Sequence, residues 1–186
     1  MSIHPYRNYF KEFKGNHNTF VETGSFHGDG IELARQAGYR RILSMDIDGA
    51  NVAHCQERFQ LIPDDTRPAK NSHINIACGD STTGLLKFMK YVNEPGMIWL
   101  DAHSQLFDDE PPTENPFPLL MELEQLRKHP IKTHTILIDD ILILTHPKVT
   151  GWDNDTIENA LLMINPAYKF TYLSNPVVNN ILMAHV

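Results

Sequence analysis

Cysteine, basic runs and long apolar runs are all scarce in this chain. The 186 residues contain two cysteines, Cys55 and Cys78, and neither sits in a Cys-x-x-Cys pair, so a disulfide framework is excluded. Lys and Arg form no block and the formal net charge is −7, which leaves no electrostatic footprint for nucleic acid or an anionic membrane. No apolar run approaches the length of a membrane-spanning helix. The opening residues MSIHPYRNYFKEFKGNHN lack the apolar centre of a secretion signal, so a cytoplasmic location is expected. Internal repeats, low-complexity tracts and Gly/Ser linkers are missing as well. At 41% hydrophobic content the chain can fill one substantial core. We expect a single domain over residues 1–186, with 1–18 as a short N-terminal segment.

What is present is alternation. TFVET (19–23), RILSMDI (41–47), HINIAC (73–78), MIWLDA (97–102) and HTILIDD (134–140) read as buried strands. Helical patterns fill 28–36, 49–59, 82–92, 119–129 and 156–164, and loops are expected at 61–71, 104–116 and 141–153. YKFTYLS and NNILMAHV close the chain as a hairpin around Asn175 and Pro176. Apolar strands alternating with helices imply a parallel sheet covered on both faces. The expected fold is therefore an α/β, doubly wound, Rossmann-like sandwich: a mostly parallel seven-stranded sheet with a C-terminal antiparallel hairpin. Such sheets bind ligands beyond the carboxyl ends of their strands. The strand-ending residues are Glu22, Asp46, Asp80, Asp101, Asp139 and Asp140, all acidic.

The stretch FVETGSFHGDGIELA, with Gly24, Gly28 and Gly30, passes from the first strand into a helix. Glycines there permit tight turning and close backbone approach to a ligand, although a plain strand-to-helix turn uses them too. A pyrophosphate would want bare N–H groups at the helix start, and Glu22 and Asp29 would repel it. No Gly-Lys-Ser/Thr follows, so the Walker pattern is absent. The spelling TGSFHGDG also fits the glycine turn of short-chain dehydrogenases, but none of the six tyrosines has the Lys four residues on that their catalytic pair needs. S-adenosylmethionine carries an ammonium, a sulfonium and a ribose diol, which acidic strand ends suit through charge-assisted hydrogen bonds.

From Thr19 onward the order of motifs resembles the class I S-adenosylmethionine-dependent methyltransferases. The resemblance implies that Glu22 reaches the methionine ammonium, directly or through water, and that Gly24 backs the methionyl part, with Ser25 and Gly28 of the same turn among the donor-binding residues. It implies that Asp46, twenty-two residues after Gly24, takes the ribose hydroxyls beside Ile47, with Asp48 as its substitute. In CGDST, Gly79, Asp80 and Ser81 would meet the adenine. Ser25, Phe26 and His27 depart from the compact glycine-rich turn of many members.

WLDAHS and LIDDI would bring Asp101, His103, Asp139 and Asp140 to one sheet edge. Carboxylates so close repel one another or take up protons unless a cation compensates them, and an oxygen-rich set suits Mg²⁺. Here the chain is similar to the metal-dependent O-methyltransferases of the macrocin and novobiocin sugar type. That likeness implies Asp101, Asp139 and Asp140 as metal ligands and His103 as general base, with Asp101 beside it in the catalytic set and near the donor. Successive strand residues point to opposite faces, so Asp139 and Asp140 share one ion only if the strand has already ended. Otherwise one of them caps a turn, and a metal-independent methyltransferase follows.

The expected activity is O-methylation of a sugar or other small hydroxyl compound, or of a glycan, with no nucleic-acid or membrane partner. The alternatives are a metal-independent enzyme acting on another acceptor and a non-catalytic module that holds the donor. Segments able to cover an acceptor are few, so a homo-oligomer whose neighbour closes the site is an expectation. His4, His17, His54, His129 and His146 are expected in solvent, Leu119, Leu120, Leu123, Leu126 and Trp99 in the core, and Trp152 against the acceptor.

Overall fold

The computed structural model describes residues 7–61, 71, 73–103, 116–175 and 177–186. The seven strands are β1 (Thr19–Thr23), β2 (Arg41–Asp46), β3 (Ile74–Cys78), β4 (Met97–Leu100), β5 (Thr135–Ile138), β6 (Lys169–Asn175) and β7 (Val177–His185). They form one sheet in the order β3-β2-β1-β4-β5-β7-β6. The pairs among β1 to β5 are parallel, while β7 runs antiparallel to both β5 and β6. The expected hairpin is there, and β1 and β4 flank the point where strand order reverses.

Alternation of side chains sorts the core into two layers. Val21, Leu43, Met45, Ile98, Leu100, Ile136 and Ile138 pack on one face against α4 (Ser81–Phe88), α5 (Leu119–Lys128) and α7 (Asn154–Ile164). Phe20, Ile42, Met97, Trp99 and Leu137 pack on the other face against α2 (Asp29–Ala37), α3 (Gly49–Arg58) and α1 (Arg7–Glu12). Both faces are thus dry, which explains why the strands read as unbroken apolar runs. Among the described residues, no helix is long and apolar enough to cross a membrane.

Several expectations need correction. Helix α1 is an addition: Phe10 is fully buried and packs its ring 4.9 Å from Phe20 and 5.2 Å from Trp99. The described part of the N-terminal segment is therefore committed to the core rather than to covering a substrate. The expected loop 141–153 begins with a helical turn, α6 (Ile141–Leu144), whose Ile141 and Leu144 join the core. The helix after β3 ends at Phe88 and tightens into a 3-10 turn over Met89–Tyr91. His129 is buried, not solvated, with its Nδ1 3.2 Å from His134 Nε2, and His17 is half-buried against Thr135. The loop expected at 104–116, and most of that at 61–71, fall outside the described residues.

Candidate functional site

The turn between β1 and α2 makes close approaches at its glycines. Gly24 has φ +82°, and a Cβ on it would stand 2.5 Å from the Asp101 carbonyl oxygen. This turn and the end of β4 are therefore in direct backbone contact. A Cβ on Gly30 would stand 1.8 Å from Glu22 Oε1, so the Glu22 carboxyl is packed beneath the start of α2. Ser44 Oγ donates to Glu22 Oε2 at 2.5 Å, and Ser25 Oγ lies 2.6 Å from Ser44 Oγ. Burial pushes the Glu22 carboxyl up to about 8, against the Ser44 hydrogen bond, and the carboxylates of Asp46 and Asp29 push the same way. Gly28, at φ +84°, caps α2. Phe26 also has a positive φ, +41°, and stands 52% exposed with its ring stacked 3.9 Å from His27.

Asp46 closes β2 and ties the turns together. Its Oδ2 accepts from Phe26 N at 2.8 Å, and its Oδ1 accepts from Asp48 N at 2.9 Å and Asn51 Nδ2 at 3.4 Å. Asp48 caps α3 by accepting from Ala50 N, and Ile47 between them is exposed. After β3, Gly79 N donates to Asp46 O at 2.9 Å, Asp80 caps α4 through Thr82 N, and Ser81 is buried. Glu22, Gly24, Ser25, Gly28, Asp46, Ile47, Gly79, Asp80 and Ser81 thus line the adjacent ends of β1, β2 and β3.

The second cluster stands beyond β4 and β5, which end before their acids do. Because β5 stops at Ile138, Asp140 adopts φ +53° and turns back toward His103. His103 Nε2 is 2.8 Å from Asp140 Oδ2 and 3.8 Å from Asp101 Oδ1. The Asp140 carboxyl is held below its usual range, first by the His103 hydrogen bond and then, against burial, by Asn180. Being ionised, it can only accept, so Nε2 carries the proton. Burial pushes Asp101 well above its usual range, and Asp139 is the strongest like charge acting on it. Trp99 Nε1 donates to Asp101 Oδ2 at 3.3 Å.

Asp101, His103 and Asp140 each offer one ligand atom within 4.8 Å of the others. Two carboxylate oxygens and an imidazole nitrogen fit a divalent cation, and the imidazole widens the choice from Mg²⁺ to borderline metals such as Mn²⁺. Asp139 is not in this group: it is buried, with Oδ1 accepting from Asp140 N at 2.8 Å. Asn180, on β7, escaped the sequence reading. Its Nδ2 donates to Asp140 Oδ1 at 2.9 Å and its Oδ1 accepts from Leu142 N at 3.3 Å. Its only signal was a polar pair, Asn179-Asn180, interrupting an apolar strand. Trp152 packs against the buried cluster of the α5–α7 face.

No family model and no curated protein matches the chain. Solved structures do match. An O-methyltransferase from Bacillus cereus in complex with SAH superposes with a TM-score of 0.65 at 14% identity, over 100% of this chain and 82% of that one. Cofactor-bound Rv0187 from MTB gives 0.63 at 12% identity, over 100% and 81%. The chain has the class I methyltransferase fold. A protein from Clostridium thermocellum described as a candidate rRNA methylase gives 0.57 at 12% identity, over 96% of this chain and 92% of that one. Since such different enzymes share this fold, acceptor choice has to be argued from the site.

Proposed function

We propose that residues 1–186 act as one S-adenosylmethionine-dependent methyltransferase domain that transfers the methyl group to a hydroxyl of a sugar or other small molecule. The observation that carries this reading is the contact between Gly24 and the Asp101 carbonyl. It sets the glycine turn and the cluster of Asp101, His103 and Asp140 side by side at the switch in strand order, where a ligand from each could meet.

The donor supplies an electrophilic methyl on a sulfonium. Glu22, Asp46 and the turns after β1 and β3 would hold it: Asp46 keeps acceptor capacity for a diol beside its three donors, and the Glu22 carboxyl would ionise next to an ammonium. In the metal-independent form, Asp140 fixes His103 through Nε2–H and the imidazole would take the proton of the acceptor hydroxyl. The oxygen then forms its bond to the methyl carbon as the carbon–sulfur bond breaks, its electron pair leaving on sulfur. A divalent cation at Asp101, His103 and Asp140 would lower the pKa of a nearby hydroxyl. It would also take the place of the proton at Nε2, so His103 could not then both hold the cation and act as the base that Asp140 fixes through Nε2–H. The two roles of His103 are therefore separable by experiment.

Calorimetric titration of S-adenosylmethionine and SAH, with and without Mg²⁺ or Mn²⁺, tests the reading. We expect micromolar donor binding, about −8 kcal/mol, and cation binding that disappears in Asp140→Ala. Absence of donor binding under every condition would overturn the proposal and leave a donor-free module.

A further inference from the structure

On the α5 face of the sheet lies a buried acid that neither site uses. Glu122 is 1% exposed among the leucines of α5, and Thr23, the last residue of β1, is 0% exposed. Glu122 Oε1 and Thr23 Oγ1 are both buried with no hydrogen-bond partner among the described residues. Ser81 and Thr23 are the hydroxyl residues that act on the Glu122 carboxyl, and Asp80 is the like charge that acts on it. One turn along α5, Gln125 donates from Nε2 to Ser81 O at 2.5 Å and accepts from Leu86 N at 3.0 Å.

These contacts have a direction. Thr23 immediately precedes Gly24, and Ser81 immediately follows Asp80, so Glu122 and Gln125 face both turns that the donor would occupy. A carboxyl in the core is costly unless a gain offsets it, and a leucine at this position would extend the stripe of Leu119, Leu123 and Leu126. We propose that Glu122, acting with Gln125, is a positioning residue that braces the turns after β1 and β3 from beneath and sets their spacing for the donor. The proposal rests on the donor-site reading above. Burial pushes Glu122 up to about 7, so near neutral pH much of it is a neutral acid, able to donate to Thr23 as well as accept.

The experiment compares Glu122→Gln, Glu122→Ala and Glu122→Leu by amide hydrogen exchange, thermal melting and S-adenosylmethionine titration. The amide keeps a donor and an acceptor of the same shape, so Glu122→Gln should retain slow exchange in residues 23–30 and 79–84 and near-native donor affinity. Glu122→Ala and Glu122→Leu should speed exchange in both turns and weaken donor binding about tenfold, even if Glu122→Leu melts no lower than the native chain. Unchanged exchange and affinity in Glu122→Leu would overturn the brace, as would a Glu122→Gln variant no better than Glu122→Ala. If the native chain bound no donor, the donor-site reading would fall while the exchange data still decided whether Glu122 braces the turns.

Discussion

The two halves of the carboxyl edge treat their acids differently. Around β1, β2 and β3, each carboxyl is satisfied by its own chain: Asp46 by three donors, Asp48 and Asp80 as helix caps, and Glu22 by Ser44. Around β4 and β5, Asp101 and Asp140 meet one imidazole with the buried Asp139 acting on Asp101 as a like charge, and Asp101 is driven toward its neutral form. The first half has its carboxyls fixed in advance by bonds within the chain. The second stores unbalanced negative charge, the arrangement in which a cation or a transferred proton is most strongly felt.

Removing the imidazole should separate the halves most sharply. His103→Ala is expected to cut the methyl-transfer rate about 10²- to 10⁴-fold while leaving the donor dissociation constant within about twofold of native, as checked by single-turnover kinetics beside calorimetry. A parallel loss of donor affinity would show that the halves are one unit. Gly24→Ala should damage both, because its Cβ meets backbone at 2.5 Å and its φ is positive. We expect a stability loss of about 2–4 kcal/mol in denaturant unfolding, with donor binding lost. Asn180→Ala should touch only the second half: with Asp140 no longer held from β7, cation affinity should fall about 10- to 100-fold while donor affinity stays native.

The sheet was legible because period and burial agree: strands dry on both faces leave a continuous apolar signature, and glycine turns punctuate them. Helix α1 was not, since Tyr9, Phe10 and Phe13 in so short a segment carry little periodic signal, and its burial comes from Trp99 and Phe20, far away in sequence. The residues expected to hold the donor share an edge because each ends or follows a strand, which the alternation of apolar runs and turns already implied. Which acid of the Asp139–Asp140 pair turns toward His103 depended on where β5 stops and on a left-handed residue, facts of backbone conformation rather than of composition. Asn180 and Glu122 were missed for a related reason: each is polar within an apolar stretch, and only the tertiary partner gives it a role.

The finest test of the comparison is electrostatic. Glu22 titrates near 8 in the folded chain and at about 4.5 when unfolded. Between these values the unfolded chain has lost its proton and the folded chain has kept it. Glu22 therefore favours folding below the unfolded value, and that contribution declines as pH rises toward the folded one, by at most about 1.4 kcal/mol per pH unit. Glu22→Gln should flatten that part of the stability profile between pH 5 and 8, measured by denaturant unfolding against the native chain. Donor binding should respond in the opposite sense: an ammonium beside the carboxyl favours ionisation, so the native chain should release a proton on binding near pH 7, and Glu22→Gln should not. Calorimetry in buffers of different ionisation enthalpy reads that proton directly. If both proteins release none, the carboxyl beneath Gly30 only holds the turn, and the ammonium is recognised by other groups of the donor half.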